Sequence, residues 1–193
     1  MQGNVQTEPR RSSWRSQIAS LLLAVAIGLT VFFFFGGRSI IDPTWTDWLM
    51  EGDPSQHYLG WVYFRETPLL QFPIGANPLF GGKLASSVVY SDSIPLFALP
   101  FKLIEALLPT PFQYFGIWIA FCLCMQAWFS FKVLRKLDMP VEVAAIGSAL
   151  LALAPAMLWR LHGHEALIGQ WLLMAGVSLY LDQRWRSVAW IVL

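Results

Sequence analysis

Long charge-free apolar runs alternate with polar and basic stretches along this chain, and their lengths predict helices. Residues 18–36 (IASLLLAVAIGLTVFFFFG) contain no charged side chain. As a helix rising about 1.5 Å per residue, the run is roughly 28 Å long, enough to cross the hydrocarbon core of a bilayer. A cleavable signal is the rival reading, and Arg10-Arg11 would suit a twin-arginine type. The run is too long for a signal's apolar region, however, and Gly36-Gly37-Arg38 lacks the small-x-small cleavage pattern. An uncleaved first span is therefore expected, preceded by a cytoplasmic tail over 1–17.

Further apolar segments follow a long polar and aromatic stretch. Segment 94–108 is short and holds Lys102 and Glu105; 112–131 is uncharged; 143–159 follows Lys132, Arg135 and Lys136; 166–181 follows Arg160-Leu161-His162-Gly163-His164-Glu165. Another run starts at 187 (SVAWIVL) and is too short to span, which predicts the N-terminal part of a longer protein or a truncated gene. Spans are expected at 18–36, 112–131, 143–159 and 166–181, with an outer loop over 37–111.

The basic residues orient these segments. If 94–108 does not cross, then Arg10, Arg11 and Arg15, the Lys132 to Lys136 cluster, and Arg184 with Arg186 share one side, which the positive-inside rule makes cytoplasmic. Pro95, Pro100 and Pro109 interrupt the segment, and Lys102 and Glu105 are three residues apart on one helical face. It is read as an interfacial or re-entrant helix on the outer surface. The fold class is an all-α, multi-pass membrane bundle with a large extracytoplasmic first loop.

Composition agrees. Hydrophobic residues make up 56% of the chain and charged ones 13%, against about 25% charged in soluble domains. A net charge of +1 excludes nucleic acid as a partner. Cys122 and Cys124 lie within an apolar run and point apart on a helix, so small buried hydrophobes are expected, not a disulfide or metal site.

Candidate chemistry lies on the outer side. Asp53-Pro54 opens a helix that should run to about Glu66 and stop before Pro68, with Gln56 placed as in a capping box. Asp53, His57 and Trp61 share one face at four-residue spacing, and Tyr58 with 61–64 forms an aromatic surface suited to the bilayer interface. Asp53 is either the structural N-cap or a base or metal ligand. His57 is a proton carrier or phosphate partner, or an interfacial ring. Asp92 is a substrate contact or another helix cap. The Gly and Pro positions of FPIGANPLFGGK demand turns, and Gly81-Gly82-Lys83 lacks the remaining spacing of a P-loop. Arg160, His162, His164 and Glu165 either neutralise a phosphate or form a solvated turn; a zinc site there lacks ligands.

One span, a large outer loop with an acid near its start, an interfacial helix and further spans together resemble the GT-C class of membrane glycosyltransferases. More narrowly, Gly52-Asp53-Pro54, His57, Gly60-Trp61, Phe64-Arg65, Phe72-Pro73, Gly75, Asn77-Pro78, 90–95 (YSDSIP) and 163–167 (GHEAL) are similar to a family of uncharacterised bacterial multi-pass proteins of that design. The resemblance covers roughly residues 18–185. It implies a bacterial inner-membrane enzyme that transfers a sugar from a polyprenyl-phosphate donor to a cell-envelope acceptor. Asp53 would deprotonate the acceptor or bind a divalent cation (Mg or Mn). His164 and Arg160, with Lys83 as a weaker candidate, would face the lipid phosphate, and 94–108 would shape the lipid entry. The sequence also admits a transporter or flippase, or a non-catalytic membrane fragment.

Overall fold

The computed structural model describes residues 14–82, 86–161 and 163–182. Lys83, His162, Arg184, Arg186, the run from 187 and most of the N-terminal tail therefore lie outside the described residues.

The chain is mostly helical. α1 (Trp14–Val31) runs into a π-helical turn (Phe32–Gly36). It is apolar around its whole circumference: Ala24, Gly28, Val31 and Phe32 are buried, while Leu22, Leu29 and Phe34 face outward. α4 (Phe115–Lys136) packs antiparallel to it, since Ser16 and Ser20 lie beside Trp128 to Lys136 while Ile40 meets Gly116. Gly28 permits the close approach: a Cβ there would lie 2.5 Å from Cys124 Cα. Trp14–Gly36 and Phe115–Lys136 are the two helices, among the described residues, long and apolar enough to cross a membrane. Cys122 and Cys124 are free thiols, as expected.

Two expected spans are broken. α5 (Val141–Ala152) is a 12-residue helix, about 18 Å long and short of the hydrocarbon core. Pro155 has no N–H to continue the ladder, so the chain breaks and restarts as α6 (Pro155–Leu158). Segment 166–181 begins as a 3₁₀ turn (Glu165–Ile168) and becomes α7 (Trp171–Tyr180) only later. α1, α5 and α7 all pack on α4.

The 37–111 region folds onto the N-terminal end of α4. α2 (Asp53–Arg65) ends where Pro68 predicted. Most of its aromatics do not form an interfacial surface: Tyr58, Trp61 and Phe64 are buried in protein, and Tyr63 alone of the four is exposed. Trp61 Nε1 donates to the Phe112 carbonyl (3.0 Å), and its ring meets Tyr114 edge-on at 5.0 Å. The glycine-rich turns carry one short ladder, β1 (Ala76–Asn77) against β2 (Ser86–Ser87). α3 (Pro95–Leu103) is nine residues long. Lys102 is not on an outer face with Glu105. It is 2% exposed and turned under α2, donating to the Phe64 carbonyl and to Thr67 O (2.7 Å) and Oγ1 (2.6 Å). Arg65 ties the same helix end to the carbonyls of Glu105, Leu108 and Pro109.

Candidate functional site: a carboxylate and imidazole pocket

The site is assembled from three segments that meet at the N-terminal end of α4. The first is the start of α2. Gly52 occupies its N-cap at φ +64°, a conformation natural to glycine, and no side chain caps the helix. The expected capping role of Asp53 is therefore corrected. Its carboxylate turns instead to the 163–165 segment, where His164 Nδ1 donates to Asp53 Oδ2 at 2.9 Å.

One turn further along α2, His57 is buried. Its Nδ1 donates to Glu165 Oε2 at 3.0 Å, and its ring stacks on Phe115. Glu165, expected in a solvated turn, is fully buried. Its backbone carbonyl accepts from Trp118 Nε1 (2.7 Å), which anchors the turn to α4. Its other carboxylate oxygen has no hydrogen-bond partner among the described residues. With Nδ1 engaged by Glu165, the other ring nitrogen of His57, Nε2, is left on the Asp92 side. Nε2 lies 3.9 Å from Asp92 Oδ2.

The third segment is 91–93, and Gly60 brings it close. A Cβ at Gly60 would lie 2.2 Å from Ser91 Oγ and 2.3 Å from Ser93 Oγ, so only glycine lets these hydroxyls rest on α2. Ser91 and Ser93 share a 2.8 Å hydrogen bond, Ser93 Oγ donates to the His57 carbonyl (2.7 Å), and the Tyr114 hydroxyl donates to the Ser93 carbonyl. Asp92 (φ +51°) and Ile94 (φ +50°) are held in the left-handed region. For β-branched Ile94 that conformation is costly, and the surrounding hydrogen bonds hold it in place. No side chain caps α3, so Asp92 is not the expected cap there.

Asp53, Gln56, His57, Asp92 and His164, with Ala166 and Leu167, line one pocket of about 120 Å³. Four of the expected site residues thus converge: Asp53, His57, Asp92 and His164. Arg160 does not line the pocket; its guanidinium donates to the Leu167 carbonyl at 3.2 Å. Lys83 lies outside the described residues. Gln56 was expected only as a capping residue, yet it reaches the Tyr90 carbonyl (3.5 Å) and forms part of the wall.

The arrangement supplies two imidazole–carboxylate pairs, one at the surface and one buried. Among the described residues, no group of three His, Cys, Asp or Glu side chains is placed to hold a metal ion, and the Asp53 carboxylate is already engaged by His164.

Neither a curated protein nor a solved structure matches the chain. A family profile matches residues 25–193, which include the second half of the first long apolar helix, all of the second and every residue of the pocket. The chain belongs to this family, described as a domain of unknown function (DUF6311).

Proposed function

We propose that the protein is a multi-pass membrane glycosyltransferase of GT-C-like design. It would move a sugar from a polyprenyl-phosphate donor to an acceptor hydroxyl of the cell envelope, at the outer face of a bacterial inner membrane. The observation that carries this reading is the Asp53–His164 pair, 2.9 Å apart and solvent-accessible on the rim of the pocket. It joins a base and a proton carrier at one end of a helix pair long enough to span.

Asp53 takes the proton of the acceptor hydroxyl, and the acceptor oxygen attacks the anomeric carbon. The bond from that carbon to the phosphate oxygen breaks, and the electron pair leaves with polyprenyl phosphate, with inversion at carbon. His164 donates to the Asp53 carboxylate and orients it, and the proton taken by Asp53 leaves to solvent at the pocket rim. His57, held by Glu165, presents a second basic nitrogen to the same space. At about 120 Å³ the pocket is well below the roughly 300 Å³ of sites that enclose a drug-sized ligand. It suits the reacting hydroxyl and one edge of a sugar, with the lipid outside.

One observation favours transport instead. Gln126 Oε1 and Ser130 Oγ, four residues apart on α4, are buried without a hydrogen-bond partner among the described residues. Polar groups at that depth of a spanning helix can mark a pathway.

The deciding experiment measures sugar transfer from a labelled polyprenyl-phosphate donor by membranes containing the protein. Asp53→Asn should lower the rate at least about 100-fold, the usual range for removing a general base. Unchanged transfer would remove Asp53 from the mechanism. Uptake by proteoliposomes without transfer would replace the reading with the transport one.

A further inference from the structure

The opposite end of the α1–α4 pair holds a larger and chemically different space. A groove of about 540 Å³ opens between the first turns of α1 and the last turns of α4. Trp128 and Phe131 give it an aromatic floor, Ser16 and Ser20 line the α1 side, and Lys132, Arg135 and Lys136 line the α4 side. Among the described residues, no carboxylate lines it. The three cations are spaced i, i+3, i+4, which puts them on one face of α4.

Cations at a helix C-terminus often do no more than complement its dipole, and two of these are partly used in that way. Arg135 donates to the Met139 carbonyl. Lys136 donates to the Ser178 carbonyl and lies 3.7 Å from an Asp182 carboxylate oxygen. Lys132 is different. It is exposed, it sits a full turn inside the helix end, and its ammonium lies 5.8 Å and 5.5 Å from the Trp128 and Phe129 ring centres. No ion pair engages it among the described residues. A cation held over aromatic rings, beside further cations and facing hydroxyls, is arranged for an anion with an apolar continuation. Exposed Trp14, with Arg15 over its ring at 5.7 Å, adds the aromatic and basic character of a membrane interface at the same end.

We infer that this groove binds the phosphate of an anionic phospholipid. Lys132 and the remaining N–H groups of Arg135 meet the phosphate, and Trp128 and Phe131 pack against the glycerol and the first acyl carbons. Basic pockets between spanning helices on the cytoplasmic side commonly hold such headgroups. The site shares with the proposed sugar transfer only its membrane placement and uses none of its residues.

The test uses the whole protein in detergent micelles doped with phosphatidylglycerol or with phosphatidylcholine. Lipid retention is read by native mass spectrometry and stability by thermal melting. Phosphatidylglycerol should be retained in preference and should raise the melting temperature. Lys132→Gln should weaken its retention about fivefold, the effect of one interfacial charge. Arg160→Gln, at the far end, should leave it unchanged. Equal retention of the two lipids, full retention by Lys132→Gln, or an equal fall in Arg160→Gln would each overturn the assignment. So would inorganic phosphate alone reproducing the whole stabilisation in lipid-free detergent, which would mark a free-phosphate site.

Discussion

The two ends of the α1–α4 pair are built on opposite plans. At the acid end, polar groups are cross-linked over long sequence separations: His57 to Glu165, Trp61 to Phe112, Trp118 to Glu165, and Gln113 to the carbonyls of Ile40 and Asp42. Backbone meets backbone there, with Gly116 directly beneath the Ile40 carbonyl. At the basic end the cations are exposed, their hydrogen bonds run to single carbonyls, and α5 approaches α4 through the tip of Leu134. Chemistry that depends on fixed distances needs the first plan. An amphiphile of variable shape is better served by the second. The same helix pair thus carries a pre-organised end and an adaptable one.

Two glycines offer the strongest test of that contrast. A Cβ at Gly116 would lie 1.8 Å from Ile40 O and 2.6 Å from Ile40 C, both backbone atoms of a turn that Gln113 clamps. At Gly147 the nearest atom is Leu134 Cδ1, 2.6 Å away at the end of a flexible side chain. Gly116→Ala should therefore cost about 3 kcal/mol or more, the upper range for overpacking. Gly147→Ala should cost less than about 1 kcal/mol, because Leu134 can rotate away and alanine regains helix propensity. Denaturation of each variant in the same detergent measures both. Equal losses would mean that the two ends are equally rigid.

What could be read from the sequence follows the same division. Two long apolar helices, the extent of α2, and the grouping of Asp53 with His57 come from local periodicity, and the structure reproduces them. Asp92 and His164 are legible as separate candidates on the outer side, but their convergence depends on Gly60 and on the 163–165 turn. The burial of Glu165 was not legible, because its partner His57 is 108 residues away and an unburied Glu has the same local context. Lys102 was misread for the same reason: its acceptors lie 35 and 38 residues earlier, and an amphipathic pattern cannot reveal them. The broken spans reflect Pro155 and the 3₁₀ turn at Glu165–Ile168, which delays α7 to Trp171 although the apolar run begins at Ala166.

Lys102 gives a second, smaller test. Its ammonium satisfies the Phe64 and Thr67 carbonyls at the C-terminal end of α2, and it lies 4.3 Å from the Phe64 ring centre. Thr67 Oγ1 in turn accepts from Gln71, which also holds the Ala76 carbonyl. Lys102→Met keeps most of the buried volume and removes the donor. The orphaned carbonyls should cost about 1–3 kcal/mol. The loss should appear as faster hydrogen exchange at the end of α2 and in 66–77, with the melting of the basic end unchanged. A uniform loss along α4 would show that the two ends do not behave as separate units.

The smallest expected effect lies at the margin of the acid end. Asp42 Oδ1 accepts from the Thr44 hydroxyl (2.7 Å) and the Thr44 amide (2.8 Å), and these two bonds, the hydroxyl first, hold its carboxyl below the ordinary value of 3.8. A depressed carboxyl contributes stability that is present above the unfolded value and lost as pH falls through the folded one. Thr44→Val removes the hydroxyl and keeps the amide. The Asp42 pKa should therefore rise toward 3.8 yet stay below it, as followed by NMR titration of its carboxyl carbon. Any stability difference from the wild type should be present at neutral pH and vanish once both forms are protonated. Because this turn is exposed and its bonds span only two residues, the pocket should not sense the change, and the His57 and His164 resonances should stay in place. Movement of those resonances would place Asp42 inside the rigid unit and extend the pre-organised end outward to the turn at 42–44.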